Sequence, residues 1–140
     1  MGIKYSFDPE LHIRTLKIAR QLFPHVRDDR LKCFRSIGSS SRGTIARCHT
    51  LGKLMQLTIG VPAHYGIEFI SEQFDKLSKE EQDKVIIHEL MHIPKSFGGG
   101  FRHHDFVCDK NIDKFHKQLI KGDNFFENKE VKESGNKNWW

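Results

Sequence analysis

The segment of residues 78–94 constrains the fold more than any other part of the chain. Residues 88–92 read His-Glu-Leu-Met-His, which is the pattern HExxH. Ser78 and Glu81 form a capping box in front of it, in which each side chain can bond the backbone N–H of the other residue. Apolar residues then recur up to Pro94, which ends the pattern. We therefore predict one helix from about residue 78 to 93 that carries HExxH and packs against a core.

The spacing of the two histidines favours a metal site. Four residues advance a helix by about 400°, so His88 and His92 project from one face, one turn apart. Two imidazoles placed in this way can reach one Zn²⁺ at roughly 2.0–2.1 Å. Glu89 then lies beside the ion, where it can act as general base and general acid for a metal-activated water. Because burial of these three side chains without a metal would be costly, the pattern predicts zinc at this point of the helix.

A catalytic zinc needs a third protein ligand and one open position for water. The pattern HExxHxxGxxH would place Gly at position 95 and His at position 98, but the chain has Lys95 and Gly98 there. The class of proteases with that pattern is therefore excluded. A downstream carboxylate is one alternative for the third ligand, and the candidates are Asp105, Asp109, Asp113 and Glu127.

A histidine after the glycine-rich segment is the other alternative for the third ligand. The three consecutive glycines at 98–100 permit the chain to reverse sharply after Pro94 and to bring His103 or His104 back to the helix. We favour His104, because it directly precedes the last predicted helix, whose start would hold it more firmly than a free loop could. His103 is the alternative third ligand.

Length and composition predict one domain of the α+β class. At 140 residues the chain can bury a core without disulfides but is too short for two sizeable domains. We assign residues 1–126 to the domain and residues 127–140 to a polar, flexible C-terminal tail. No apolar run approaches 18 residues, which excludes a transmembrane helix. Three cysteines and the absence of an apolar leader indicate free thiols and a cytoplasmic protein.

Local patterns predict the elements on either side of the HExxH helix. Asp8 and Pro9 open a helix over residues 9–23. Residues 31–37 and 44–49 flank a Gly/Ser loop and predict an antiparallel hairpin. Residues 65–70 predict a further strand, the candidate sheet edge for pairing with an extended substrate. A last helix is predicted from about residue 105 to 121, with Gly122 as its stop.

Charge is unevenly distributed along the chain, whose net charge is +5. Residues 14–53 hold ten basic and two acidic side chains, whereas residues 68–89 hold seven acidic and three basic ones. The basic region predicts a nucleic-acid partner as the alternative to a solvent-exposed surface of mixed charge. No zinc-knuckle, RNP or helix-turn-helix pattern supports nucleic acid specifically.

Residues 64–71, 74–78 and 88–104 carry a resemblance to a known family. They read HYGIEFIS, FDKLS and HELMHIPKSFGGGFRHH. Over roughly residues 25–116 the chain resembles the phage and archaeal metallopeptidase family, for which HELxHIPKxFxGG is specific. It is similar, more distantly, to the SprT-like zinc proteases. The family loop typically reads R-P-H-G, and alignment on Arg102 places its Pro on His103, its His on His104 and its Gly on Asp105.

The resemblance implies a compact zincin-like domain, with a small, mostly antiparallel sheet packed on the HExxH helix and helices at both ends. It supports His104 as the third zinc ligand and implies hydrolysis of peptide bonds in a protein or peptide substrate. Tyr65 and Arg102 are candidate transition-state stabilisers, because a zinc protease needs a donor opposite the metal.

Two alternative functions follow from the basic region. SprT-like proteases often act near DNA, so the resemblance also implies a protease that acts on DNA-associated proteins. The other alternative is a non-catalytic, zinc-containing module that binds nucleic acid. Glu89 argues against that module, because a structural zinc site needs no base beside the ion.

Overall fold

A computed structural model describes the backbone of residues 2–135 and the side chains of residues 2–124. In that part of the chain the strands are β1 (Lys4–Phe7), β2 (Leu31–Ile37), β3 (Ala46–Thr50) and β4 (Tyr65–Ile70). The helices are α1 (Pro9–Leu22), α2 (Lys53–Ile59), α3 (Ser71–Phe74), α4 (Lys79–Met91) and α5 (Asp109–Gly135). The strands form one mixed sheet in the order β1-β2-β4-β3.

The predicted α+β class is confirmed, but the predicted hairpin over residues 31–49 is wrong. β2 and β3 do not pair with each other, because β4 lies between them, parallel to β2 and antiparallel to β3. β4 is buried at five of its six positions, whereas β2 is buried at three of seven and β3 at one of five. A strand that is buried on both faces belongs in the centre of a sheet, and this explains the order.

The central position of β4 also corrects the predicted substrate edge. Both sides of β4 are paired within the sheet, so residues 65–70 offer no free edge. The two edge strands are β1 and β3, and β3 is the edge that packs against α4. The free edge beside the HExxH helix is therefore β3.

The predicted first helix is confirmed as α1. Asp8 accepts a hydrogen bond from the Leu11 backbone N–H at 3.0 Å, and Pro9 fills the first helical position. Arg14 then ties α1 to α4, since its guanidinium donates to Asp83 at 2.7 Å and to Gln82 at 2.8 Å. These bonds hold α1 alongside the helix that carries the candidate site.

The predicted capping box starts α4. Ser78 Oγ accepts from the Glu81 N–H at 3.2 Å, and the Glu81 carboxylate accepts from the Ser78 N–H at 3.4 Å. The helix ends at Met91. Burial of a large aliphatic side chain stabilises a fold by roughly 1.5–3 kcal/mol, and α4 places four of them in the core at no more than 1% exposure. These are Ile86, Ile87, Leu90 and Met91.

The last helix, α5, differs from its prediction at both ends. It begins at Asp109 and continues through Gly122 to Gly135. Gly122 is not a stop because its φ is not positive, and it packs beside Gln21 of α1 within a continuous helix. Residues 127–135 of the predicted tail are thus helical, and residues 136–140 lie outside the described residues. Neither α5 nor any other described helix is long and apolar enough to cross a membrane.

Half of the ten basic residues in region 14–53 are paired with carboxylates. This pairing lowers the positive charge that the region can offer to a phosphate backbone. A nucleic-acid partner for the region stays a prediction. The paired residues are Arg14, Arg20, Arg27, Arg35 and Arg47.

A buried carboxylate joins three strands on the face of the sheet opposite Ile67. Glu68 is 2% exposed and accepts hydrogen bonds from Ser36 at 2.6 Å and from His49 at 2.8 Å. Arg47 lies 3.4 Å from the same carboxylate. Burial alone would raise the pKa of Glu68, but these hydrogen bonds and the charge of Arg47 outweigh it and hold the pKa below the usual 4.5.

We expect Glu68 to make the stability of the fold sensitive to acid. A lowered folded-state pKa means that the stabilising contribution is complete above the unfolded-state value, about 4.3, and is lost as the pH falls through the folded-state value. The free energy of unfolding should therefore fall more steeply below about pH 4.3 in the wild type than in Glu68→Gln. Urea unfolding between pH 3 and pH 7 measures both slopes, and equal slopes would contradict the prediction.

Candidate active site

His88 and His92 project from the end of α4, one turn apart. Their ring centroids are 5.1 Å apart, with an angle of 65° between the ring planes. Two imidazoles that bind one tetrahedral zinc through nitrogens at 2.0–2.1 Å have centroids about 5 Å apart. His92 is the residue after the last helical one, yet it keeps helical backbone angles, so the regular spacing of the pair is preserved.

The backbone of Arg102 holds the His92 side chain in place. The His92 Nδ1 lies 2.8 Å from the Arg102 carbonyl oxygen, and the Arg102 N–H donates to the His92 carbonyl at 2.7 Å. A carbonyl can only accept, so Nδ1 is the donor, and in the neutral imidazole Nε2 is then the nitrogen with the free lone pair. These two bonds also show that the chain reverses after Pro94 and returns to the end of α4.

Three side chains hold the glycine segment in that reversal. The Tyr65 hydroxyl accepts from the Gly99 N–H at 3.0 Å and donates to the Gly100 carbonyl at 2.8 Å. Thr50 donates to the Gly99 carbonyl at 3.0 Å, and Gln56 donates to the Gly98 carbonyl at 3.0 Å. Sequence reasoning missed Thr50 and Gln56. No local signal marks Gln56, because it is the one buried residue of α2, a helix whose apolar residues are exposed.

We expect Gly99→Ala to destabilise the fold by about 1–3 kcal/mol. Gly99 has a φ of +105°, and an added Cβ would lie 2.8 Å from the Leu51 backbone oxygen and closer still to the Gln56 amide nitrogen. Gly100→Ala is the matched control, since a Cβ at that position meets no atom within 4 Å. Urea unfolding of both variants tests this prediction. Equal stability of the two would contradict it.

The structure brings His104 close to the histidine pair. The His104 ring centroid lies 5.9 Å from that of His92, and the His104 side chain is exposed. Burial lowers the pKa of His88, and the charges of His92 and His104 lower it further, while Asp109 acts in the opposite direction. His104 and Asp109 therefore both lie near His88.

The other predicted third ligands differ in their surroundings. The His103 side chain is exposed. The His103 backbone carbonyl accepts hydrogen bonds from the N–H groups of Phe106 and Val107. Asp105 accepts from the backbone of its neighbour, Asp113 lies 3.4 Å from Lys84 Nζ, and the Glu127 side chain lies outside the described residues. Among the side chains of residues 2–124, no three His, Cys, Asp or Glu groups are close enough to hold a metal in their present positions.

Glu89 is buried between α4 and the edge strand β3. It is 6% exposed, and its Oε1 lies 4.0 Å from His88 Nε2. Burial raises the pKa of Glu89 to about 7, although a hydrogen bond from the Cys48 backbone N–H partly opposes the shift. A carboxyl group with a pKa near neutrality can both accept and return a proton at physiological pH, which is what general acid–base catalysis requires.

The two predicted transition-state stabilisers have partners of their own. Tyr65 is 3% exposed, and both hydrogen bonds of its hydroxyl go to the glycine segment. The Arg102 guanidinium lies 3.5 Å from the centroid of the Phe106 ring. Their role in the transition state stays a prediction, and in their present positions these side chains hold the loop between α4 and His104.

A cavity of about 580 Å³ opens directly beside these residues. His88 and Glu89 form part of its wall, and the others come from the start of β3, from α4 and from the first turns of α5. The cavity therefore connects the candidate catalytic groups with the edge of the sheet.

Comparison with curated proteins and with solved structures gives no match. A family model does match, and it covers residues 3–134. These residues include every element of the fold except the last residue of α5, and all the histidines discussed above, so the likeness extends well beyond the HExxH segment. The chain belongs to the family described as "Putative phage metallopeptidase".

Proposed function

We propose that this protein is a zinc-dependent peptidase in which His88 and His92 bind the ion and Glu89 is the general base. The observation that carries the proposal is the bond between His92 Nδ1 and the Arg102 carbonyl. Histidines that ligate zinc typically donate their other ring N–H to a carbonyl or carboxylate, which fixes the tautomer and the ring orientation. The spacing of the His88 and His92 rings fits one ion, and imidazole nitrogens suit zinc.

His104 is the proposed third ligand. Its exposed side chain lies next to His92, and the reversal held by Tyr65 and Arg102 keeps it there. Asp109 is the competing ligand, since it lies near His88 on the first turn of α5, and His103 is the third candidate. The affinity of the protein for zinc should fall most when the residue that binds the ion is replaced. Titration of the variants His104→Ala, His103→Ala and Asp109→Asn with zinc therefore ranks the three candidates.

Glu89 carries the proton transfers in the proposed mechanism. Zinc at this site would supply Lewis acidity that polarises the scissile carbonyl and makes the attacking water more acidic. The ionised Glu89 carboxylate accepts the proton of that water, and the protonated acid then donates it to the leaving amine. Burial of Glu89 beneath β3 supports this role, because a pKa of about 7 makes both forms accessible near neutral pH.

The edge strand β3 is the proposed docking site for the substrate. An extended polypeptide can add to a free edge as a further strand, with main-chain hydrogen bonds supplying affinity. β3 is the edge that contacts α4, and the Cys48 N–H reaches the Glu89 carboxylate. A chain bound along β3 would therefore pass beside Glu89.

Metal removal tests the proposed function. Purified protein should hold about one zinc per chain, a chelator should abolish peptide cleavage, and added zinc should restore it. Elemental analysis and a fluorogenic peptide library provide the two measurements. Zinc-loaded protein that cleaves no peptide would contradict the peptidase proposal.

Binding to DNA is the test for the two alternative functions. A non-catalytic zinc module would bind DNA in a salt-dependent manner and cleave nothing, whereas a protease for DNA-associated proteins would do both. The carboxylate pairing of five arginines in region 14–53 favours neither of them.

A further inference from the structure

The cavity beside His88 and Glu89 has an apolar floor. Ile45 precedes β3, Val85 lies on α4 one turn before Glu89, and Ile112 lies on α5. These three residues come from different elements and line the same space of about 580 Å³. A long aliphatic side chain would bury apolar surface against them.

The rim of the cavity is acidic. Asp109 and Asp113 lie on the first turns of α5, and among the described residues Lys84 on α4 is the one lysine or arginine in the lining. The ammonium of Lys84 is shared, since its Nζ lies 3.4 Å from Asp113 and 3.9 Å from Glu80. One cation does not neutralise both Glu80 and Asp113, so the rim keeps a negative charge at Asp113 in front of an apolar floor.

A third feature of the cavity is its position beside the proposed catalytic base. The Glu89 carboxylate, which is 6% exposed, lies in the same wall. A side chain that enters the cavity is thus attached to a backbone passing next to the proposed catalytic base. The cavity is contiguous with the position at which a chain bound to β3 would be cleaved.

From this arrangement we infer that the cavity selects a lysine or arginine of the substrate next to the scissile bond. The aliphatic stem of such a side chain packs on Ile45, Val85 and Ile112, and its cationic end reaches the carboxylate of Asp113. An acidic side chain is repelled by the rim. An apolar one fits the floor but covers the carboxylates without pairing them, which costs free energy. The inference rests on the proposed peptidase function and names the substrate class of that site.

Peptide cleavage with paired variants tests the cavity. The substrates form a positional library in which each residue flanking the scissile bond is Arg, Lys, Leu or Glu. Wild-type protein should prefer Arg or Lys over Leu on one side of the bond. Asp113→Asn should reduce that preference about two- to fivefold, and Lys84→Gln, which frees Asp113, should increase it by a similar factor. Asp29→Asn is the matched control, because Asp29 is exposed, lies outside this cavity and makes only a 3.7 Å ion pair with Arg27.

The outcomes separate the two proposals. Cleavage of all peptides without preference for Arg or Lys, or variants that leave the preference unchanged, would overturn the cavity assignment and leave the peptidase function intact. No cleavage by the zinc-loaded wild type would overturn the peptidase function and the inference with it. Fluorescence anisotropy can measure the binding of the same peptides to the Glu89→Gln variant, which needs no turnover. The affinities should show the same order of preference.

Discussion

Replacing Glu89 with glutamine should lower kcat/KM for peptide cleavage by about 10²–10⁴-fold and leave zinc content unchanged. The amide has the shape of the carboxylic acid but cannot accept a proton from water. It can still accept the hydrogen bond of the Cys48 backbone N–H, so the local packing should be retained. Removing a carboxyl group that burial already disfavours as an ion should not destabilise the fold.

Elemental analysis and peptide kinetics on the same preparation test this prediction. Glu10→Gln is the matched control, because it makes the same chemical change at an exposed position of α1. The control should keep both its zinc and its activity. A Glu89→Gln protein that cleaves at the wild-type rate would show that another group is the base. Loss of zinc in that variant would show that Glu89 belongs to the metal site instead.

Local signals in the sequence account for the parts of the structure that could be predicted. Asp8 and Ser78 cap their helices through bonds to residues three positions away, and such bonds depend on no distant part of the chain. The same holds for His88 and His92, whose 5.1 Å spacing follows from one turn of helix. The reversal after Pro94 could be predicted because it passes through Gly99, whose φ of +105° few other residues adopt.

Strand order could not be predicted, because it depends on contacts that are distant in the sequence. The runs at 31–37 and 44–49 look like a hairpin until β4 competes for the position between them. Gly122 looks like a helix stop, yet α5 continues through it to Gly135. The error in strand order comes from tertiary contacts that override a local preference.

The third ligand and the cavity share this difficulty. His104 and Asp109 come together with His88 only after the chain has reversed and α5 has packed on α4, so their sequence spacing could not rank them. The cavity uses residues from β3, α4 and α5, whose ranges in the sequence are far apart. The charge of the cavity rim could not be predicted either, because it depends on the tertiary contact between Asp113 and Lys84.

Replacing His92 with alanine should abolish stoichiometric zinc binding and peptide cleavage together. The change removes one imidazole of the pair on α4 and also leaves the Arg102 carbonyl without the bond that it accepts from Nδ1. The loop that carries His104 is fixed to α4 through Arg102, so the variant should weaken two proposed ligands at once. This effect should therefore exceed that of His104→Ala, which leaves the His88–His92 pair and its backbone anchor intact.

Thermal unfolding with and without zinc separates loss of the metal from loss of the fold. A ligand that binds only the folded state stabilises it by RT ln(1 + [L]/Kd), which is about 4.1 kcal/mol when free zinc is a thousand times Kd. Zinc should therefore raise the Tm of the wild type and leave the Tm of His92→Ala unchanged. His64→Ala should behave as the wild type, because His64 is exposed and its ring bonds the Pro62 carbonyl, away from α4. A His92→Ala protein that keeps one zinc per chain and the same zinc-dependent rise in Tm would exclude His92 as a ligand, and with it the metal site on α4.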